Sequence, residues 1–361
     1  MKNAQDDYTF LCWQNKQKLK KVMIIIKKTG LAIAMVTLCM SAIAQNKDNS
    51  SQLKPDSANF QKRAVAFVAD QFAVSRPLNI EYNNTGAYRF KSKRGETPLA
   101  DGRVSSFQQV KASANINFIK KQTWILGTTI GYKFTAAETA VNESVATDFQ
   151  LANNFHYLFS SLNLSYFAML LGKRMVYTTS FLVDGSEKHV ERIKGIAAAT
   201  MVLKANKKTK MTAGIVLNID PSSQSLILPT FSYEHKFDNG LIADIVLPRS
   251  IYMRKFVFDR NGRVSLGIQL DQTSFYLYNL DGTNQRYEYR QLDINSGITY
   301  EHVIAKYFLL TAKSGIKLTP SGRIFKKEES FADPVYKISP DPAFYFNIGI
   351  SFNPFSVFGK R

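Results

Sequence analysis

Apolar and polar positions alternate over much of this chain with a period of two. Val110, Ala112, Ala114, Ile116 and Phe118 share one face, and Gln109, Lys111, Ser113, Asn115 and Asn117 share the other. After the tight connection KKQT, Trp124, Leu126, Thr128, Ile130, Tyr132 and Phe134 oppose Thr123, Gly127, Thr129, Gly131 and Lys133. The pattern returns with Met211 to Ile219, with Leu292, Ile294 and Ile298 against Asp293, Asn295 and Thr299, and at the C-terminus. There Phe344, Phe346, Ile348, Ile350 and Phe352 oppose Tyr345, Asn347, Gly349, Ser351 and Asn353. Period two is the signature of β-strands with unlike faces. The runs predict fourteen strands, near 77–90, 105–119, 122–136, 152–169, 174–184, 192–204, 209–219, 225–236, 240–247, 250–258, 262–278, 286–301, 306–318 and 342–354.

A soluble sandwich would fill its inner face with large side chains, whereas here the second face is small and polar, as a wet lumen requires. The connections alternate as well. KKQT, GKR, NKKTK, HKFDNG, DRNG and EHVIAKY are short, while 91–104, 137–151 and 319–341 are long. Short turns on one side and long loops on the other describe an all-β, single antiparallel up-and-down transmembrane β-barrel with both ends in the periplasm. The connection Leu247-Pro248-Arg249-Ser250 is the weak point. If it is a bulge within one strand, an even count needs a second merger and gives twelve strands.

A leader precedes the strands. Lys16 to Lys28 is basic, Thr29 to Ala44 is apolar, and Ala42-Ile43-Ala44 before Gln45 is a small-residue cleavage site. Residues 1–44 therefore read as a signal peptide cut between Ala44 and Gln45, with Met23 a better start than Met1, because MIIIKKTG makes a conventional n-region. The sixteen apolar residues fall short of the ~20 that a spanning helix needs. Residues 45–75 read as a periplasmic tether or a lumen plug, with Ala64 to Val74 either a short helix or strand that plugs the lumen or, the favoured reading, a lead-in to the first strand, and residues 76–361 as the barrel in the outer membrane.

Both cysteines, Cys12 and Cys39, lie in the leader, so the exported chain has neither disulfides nor thiolate metal sites. The leader holds seven lysines and two acids, so 40 basic and 26 acidic side chains remain, a charge of +14. In an exported chain without base-stacking motifs this does not indicate nucleic acid. Lysines in turns and loops would instead face lipopolysaccharide phosphates or favour anions near a pore.

Candidate chemistry is sparse. His156, His189, His235 and His302 are scattered and read as solvated surface residues, none at metal-ligand spacing. His156 with Ser160 is the nearest approach to a membrane-embedded hydrolase, without a nucleophile motif. Asp259-Arg260-Asn261-Gly262 and Asp281-Gly282-Thr283-Asn284 lack the closing glutamate of a calcium loop, and their Asn-Gly and Asp-Gly pairs suit the positive φ of hairpin turns. No enzyme activity and no cofactor is expected. Alternation points Lys111, Lys133, Asp244, Asp293, Lys313 and Lys317 into the lumen, where they would solvate the interior or form a selectivity ring.

The Gln after A-x-A, the ending FNPFSVFGKR and the stretch FSYEHKFDNGLIADIVLPRSIYMRKFVFDRNGRVSLGIQL resemble a family of uncharacterised outer-membrane β-barrels common in Bacteroidota. The resemblance implies a barrel of unknown function and no site residues. Gliding and type IX secretion barrels of similar size begin with a Tyr/Phe/Asn/Pro-rich segment, and QNKDNSSQLKPDS departs from it. The expected role is passive passage or binding of a small solute. The alternative is a part in envelope assembly or secretion, with lipid, lipopolysaccharide and the assembly machinery as partners.

Overall fold

The structure is a computed structural model that describes residues 54–141, 149–220, 222–223, 225–280, 282, 284–355 and 358. The leader, its cleavage position and residues 45–53 lie outside the described residues. A helix, α1 (Lys54–Gln71), and a single 3-10 turn (Ala73–Ser75) precede the sheet. The strands are β1 (Leu78–Thr85), β2 (Tyr88–Arg94), β3 (Thr97–Pro98), β4 (Gly102–Lys120), β5 (Trp124–Val141), β6 (Phe149–Leu170), β7 (Lys173–Gly185), β8 (Val190–Ala205) and β9 (Thr209–Ile219). They continue as β10 (Ile227–Lys236), β11 (Leu241–Leu247), β12 (Ser250–Val257), β13 (Gly262–Tyr278), β14 (Arg286–Ile304), β15 (Phe308–Lys326), β16 (Tyr336–Pro340) and β17 (Ala343–Phe352).

β1 pairs with β4 on one edge and with β17 on the other, so the sheet closes on itself. β1 and β2 form one wall strand interrupted at Gly86-Ala87, β16 and β17 another, and β3 is a two-residue return against β2. The wall is therefore a closed antiparallel barrel of fourteen strands. β11 and β12 are separate members of it, paired from Leu241↔Lys255 to Val246↔Ser250, which removes the twelve-strand alternative.

Alternation sorts the side chains as lipid and lumen require. Phe344, Ile348, Ile298 and Ile116 face outward with 52 to 56% of their surface exposed. Asn347 and Ser351, their neighbours by one position on β17, are 2% exposed. An outside of large apolar residues around an inside of buried polar ones inverts a soluble protein and fits a barrel in a bilayer, where lipid covers the apolar belt. No described helix is long and apolar enough to cross a membrane, so the strands do the crossing.

Several strands run past the expected boundaries on the long-loop side. β5 continues to Val141, β6 begins at Phe149, and β15 reaches Lys326, so much of the expected loop sequence is paired strand. Above the bilayer a ladder needs no apolar face, and the hydrophobic alternation that marks strands fades while the backbone pairing persists. The turn at Asp259 is tight as expected, but its positive φ values fall on Phe258, Asp259 and Arg260 rather than on Asn261-Gly262. The inward glycines also differ from expectation. A Cβ on Gly131 would lie 2.1 Å from the Phe159 ring, so this glycine makes room for an aromatic side chain rather than for water.

The wall is uneven. β13, β14 and β15 have 17 to 19 residues, whereas β11 has 7 and β12 has 8. At ~3.3 Å per residue β11 is about 23 Å long and, tilted by ~40°, stops inside the ~25 Å apolar band. β10 pairs with β11 only up to Phe231↔Leu247, and β12 with β13 only up to Ser250↔Gln269. Above Pro248 the edges of β10 and β13 thus flank a notch, and residues 271–278 of β13 have a strand partner on the β14 side alone.

The belt predicts the cost of a misplaced charge. Ile348→Arg on the lipid face is expected to lower stability by about 2–4 kcal/mol, and Ile350→Val by less than about 1.5 kcal/mol. Reversible unfolding in lipid vesicles, followed by tryptophan fluorescence, measures both.

Candidate functional site

From Ala58 onward α1 packs against lumen-facing side chains near the short turns, termed here the turn end. Gln61 Nε2 donates to Lys121 O at 2.9 Å, Phe60 meets Phe167 edge-on at 5.9 Å, and Lys210 Nζ lies 5.5 Å over the Phe67 ring. The C-terminal turn is held by charge. Asp70 Oδ2 is 2.9 Å from Arg263 Nη1 and 4.0 Å from Arg254 Nη1, and Gln71 Nε2 donates to Asp244 at 2.8 Å. Just beyond the 3-10 turn, Arg76 donates to Ala69 O, Ser351 Oγ and Glu301 Oε1 at 2.8 to 3.2 Å. Arg263 also grips Glu301 through Nε and Nη2, at 2.8 and 2.6 Å. Phe358, from the tail after β17, lies 4.9 Å from the Arg263 guanidinium and edge-on to Phe256.

At the other end, the loop end, the walls meet across the lumen. Phe155 of β6 stacks on Phe275 of β13 at 4.0 Å, and Phe275 stacks on Tyr289 at 4.7 Å. β6 and β13 are not neighbours in the sheet, so this contact is a pinch of the barrel. Tyr157 and Tyr276 both donate to Asp184, at 2.6 and 2.7 Å, and Lys194 completes that carboxylate at 2.6 Å. Farther out Glu288 is held by Arg192 and Arg290, and Glu191 by Lys327 and Arg286. Arg290 lies 5.4 Å from the ring of Phe325, which is fully buried.

Between these two closures lies a chamber of about 290 Å³, lined by polar and charged side chains of the wall and by residues 70–76. Of the residues expected to face the lumen, Lys111, Lys133 and Lys313 line it. Lys111 pairs across the lumen with Asp271 at 2.6 Å. Lys133 donates to Gln272 O at 3.2 Å and lies 5.7 Å from the Tyr157 ring. Lys313 donates to Gln269 Oε1 at 3.3 Å. Lys317 and Asp293 form a separate pair at 3.8 Å, with Thr319 and Gln291 also donating to Asp293 at 2.6 Å. Asp244 stands apart at the turn end, paired with Arg254 beneath α1. The six are thus spread over three clusters and make no single ring.

Alternation contained more than was drawn from it. Glu301 continues the inward series Asn295, Gly297, Thr299, and Arg263 and Asp271 continue that of Ser265, Gly267 and Gln269. Asp70 and Arg76 carried no such signal, because their roles depend on a helix docking inside the barrel.

His189 is exposed, as expected, whereas the other three histidines are half-buried and hydrogen-bonded. His156 Nδ1 is 2.8 Å from Tyr132 Oη, His235 Nδ1 2.9 Å from Thr209 Oγ1, and His302 Nδ1 2.9 Å from Tyr300 Oη. His189 lies 5.8 Å from the Tyr278 ring. His156 thus has a tyrosine partner on the outer face, with no serine hydrogen-bonded to it. Among the described residues no group of three or more His, Cys, Asp and Glu is placed to hold a metal.

No protein-family model matches the chain, and no curated protein matches it. Solved structures do match. The transport unit of the autotransporter AIDA-I from Escherichia coli is 10% identical with a TM-score of 0.30, over 82% of this chain and 98% of that one. The COG4313 outer membrane channel from Pseudomonas putida F1 is 10% identical with a TM-score of 0.30, over 76% and 94%. The Pseudomonas putida toluene transporter TodX is 9% identical with a TM-score of 0.33, over 76% and 89%. Likeness at this level assigns nothing to the residues of the chamber.

Arg263 is the residue on which the docking of α1 turns. Arg263→Ala leaves Asp70 and Glu301 each short of a partner in a buried setting, a loss of about 3–5 kcal/mol. The expected result is faster amide hydrogen exchange across residues 60–76, with little change in β14 and β15. Lys208→Ala, which removes only the exposed pair with Asp238, is expected to leave that exchange unchanged.

Proposed function

We propose that this chain is an outer-membrane barrel that binds a small solute in its chamber and passes it when a closure opens. The observation that carries the reading is the chamber itself, about 290 Å³, lined by charged and polar side chains and lying between the docked α1 and the Phe155–Phe275 pinch. A barrel built only as a membrane anchor has no need of such a space, and an open porin would not close it twice. Residues 58–76 act as a plug in this reading, after removal of the leader and with the residues between as a tether. The barrel belongs with the Bacteroidota proteins it resembles.

Outer-membrane placement follows from the apolar belt and polar lumen. Orientation follows from the short turns and the two ends of the barrel wall, Leu78 and Phe352, lying at one end, which puts the loop end outside. There β2 and β16 extend the wall with Lys91, Lys93, Arg94 and Lys337. This is a basic fringe at the height where lipopolysaccharide phosphates lie, and the outer leaflet is the partner it suits.

Liposome swelling with small sugars tests the reading. The unaltered barrel is expected to be nearly silent, and Arg263→Ala alone to stay slow because the Phe155/Phe275 pinch remains. Arg263→Ala combined with Phe155→Ala and Phe275→Ala should swell several-fold faster. Rapid swelling of the unaltered barrel would refute the closed state. A folded, heat-modifiable triple variant that stays impermeable would refute solute passage.

A further inference from the structure

The charge of the chamber is unbalanced, and the imbalance names a ligand. Seven cationic and four acidic side chains line it. Each acid is already engaged by the protein. Asp70 is held by Arg263, Glu301 by Arg263 and Arg76, and Asp271 by Lys111. Glu81 accepts from the amides of Asn79 and Asn347 at 2.9 and 3.1 Å, and its charge is opposed by Lys313 and Lys111, so with Asp244 counted seven cations face five acids. Arg254 is matched by Asp244. What remains is Lys133, Arg249 and Lys313. Among the described residues none of the three has a carboxylate within 4.0 Å, and they are left with a carbonyl, the face of Phe72 at 4.5 Å and a side-chain amide.

Taking a cation partly out of water without an opposing charge is costly, and a half-buried cluster of like charge is costlier still. Loop cations are relieved by solvent, but these three come from different wall elements and line one space. Lys133 is on β5, Arg249 on the turn before β12, and Lys313 on β15. Donors that line one space from separate wall elements suit an anion, whose oxygens accept several charge-assisted hydrogen bonds at once. The volume is near the ~300 Å³ lower limit of ordinary ligand pockets, which restricts the occupant to a small molecule.

We infer that the chamber is a binding site for a small water-soluble anion bearing carboxylate or phosphate oxygens, held by Lys133, Arg249 and Lys313. The site rests on the solute-chamber reading above and makes it specific. The notch above Pro248 is bordered by Arg249 and by the upper part of β13, where Gln272 is exposed, which makes it the side from which an anion would reach the site.

Isothermal titration of the full exported chain in detergent, with inorganic phosphate, succinate, glucose and choline as probes, tests the inference. Phosphate or succinate is expected to bind, more weakly as sodium chloride is raised, and glucose and choline not at all. The stronger of the two anions distinguishes a phosphate from a carboxylate ligand. The triple variant Lys133→Gln, Arg249→Gln, Lys313→Gln should lose affinity at least about tenfold, since hydrogen bonds to charged groups are the strong ones. Lys255→Gln, on the outer face, should not. Glucose binding as tight as either anion, or anion binding unchanged in a folded triple variant, would overturn the anion assignment while leaving a solute chamber in place. Binding of none of the four probes would overturn both. Should the triple variant not fold, the three single variants and the salt dependence of the unaltered protein decide in the same way.

Discussion

Every backbone N–H and C=O that enters hydrocarbon must find a partner within the protein, and this molecule is arranged around that requirement. Closure of β1 on β17 through eight paired residues meets it at the seam. The difficulty arises where β11 and β12 stop short, leaving an edge of β13 exposed at a depth where an unpaired edge is expensive. The structure answers by turning that edge inward. Arg249 O accepts from Leu270 N at 2.7 Å, Lys133 reaches Gln272 O, and Phe275 is carried across to Phe155. The pinch at the loop end and the notch in the wall are thus two results of one short hairpin.

The turn end follows a different rule, that of charge neutrality in a space with little water. The wall contributes Arg254 and Arg263 against Asp244 and Glu301, and these already pair among themselves. The segment that docks there adds one acid, Asp70, and one base, Arg76, each meeting a wall charge of opposite sign. Neutrality holds both with and without the helix, so undocking would return Asp70 and Arg76 to water without stranding an unpaired wall charge. Buried ion pairs contribute little net stability but discriminate strongly among arrangements. That combination suits a segment that must be placed accurately and still be able to leave.

Much of the wall was legible in the sequence because lipid and lumen impose opposite demands at every second residue. Asn347 between Phe346 and Ile348, or Lys111 between Val110 and Ala112, fixes a strand and its facing with no knowledge of the rest. Loop-end extensions such as Ala137 to Val141 were hidden, since beyond the bilayer the alternation of large apolar and polar residues lapses and the ladder alone keeps the chain extended. The helix was legible only as one alternative for Ala64 to Val74, and its extent from Lys54 was hidden for a related reason. Residues 60–71 dock by Asp70, Gln71 and a few aromatic rings against a polar lumen, so the broad apolar stripe that marks a helix on an ordinary core is unnecessary. Which lumen charges pair is also a matter of three dimensions. Lys111 and Asp271 are 160 residues apart on strands that never touch in the sheet.

The two closures are not equal in kind, which bears on how a solute could move. At the loop end three aromatic rings stack and two buried tyrosines share the Asp184 carboxylate with Lys194, a seal made within the wall itself. Opening it means moving the upper parts of β6 and β13, each laddered to one neighbouring strand, β5 and β14. At the turn end the seal is a helix joined to the wall by side chains alone up to residue 76, and its ion pairs can be exchanged for water. The cheaper motion is therefore at the turn end. Departure of the helix is thus the first rearrangement that a path through this barrel requires, and the Phe155–Phe275 pinch has to part after it.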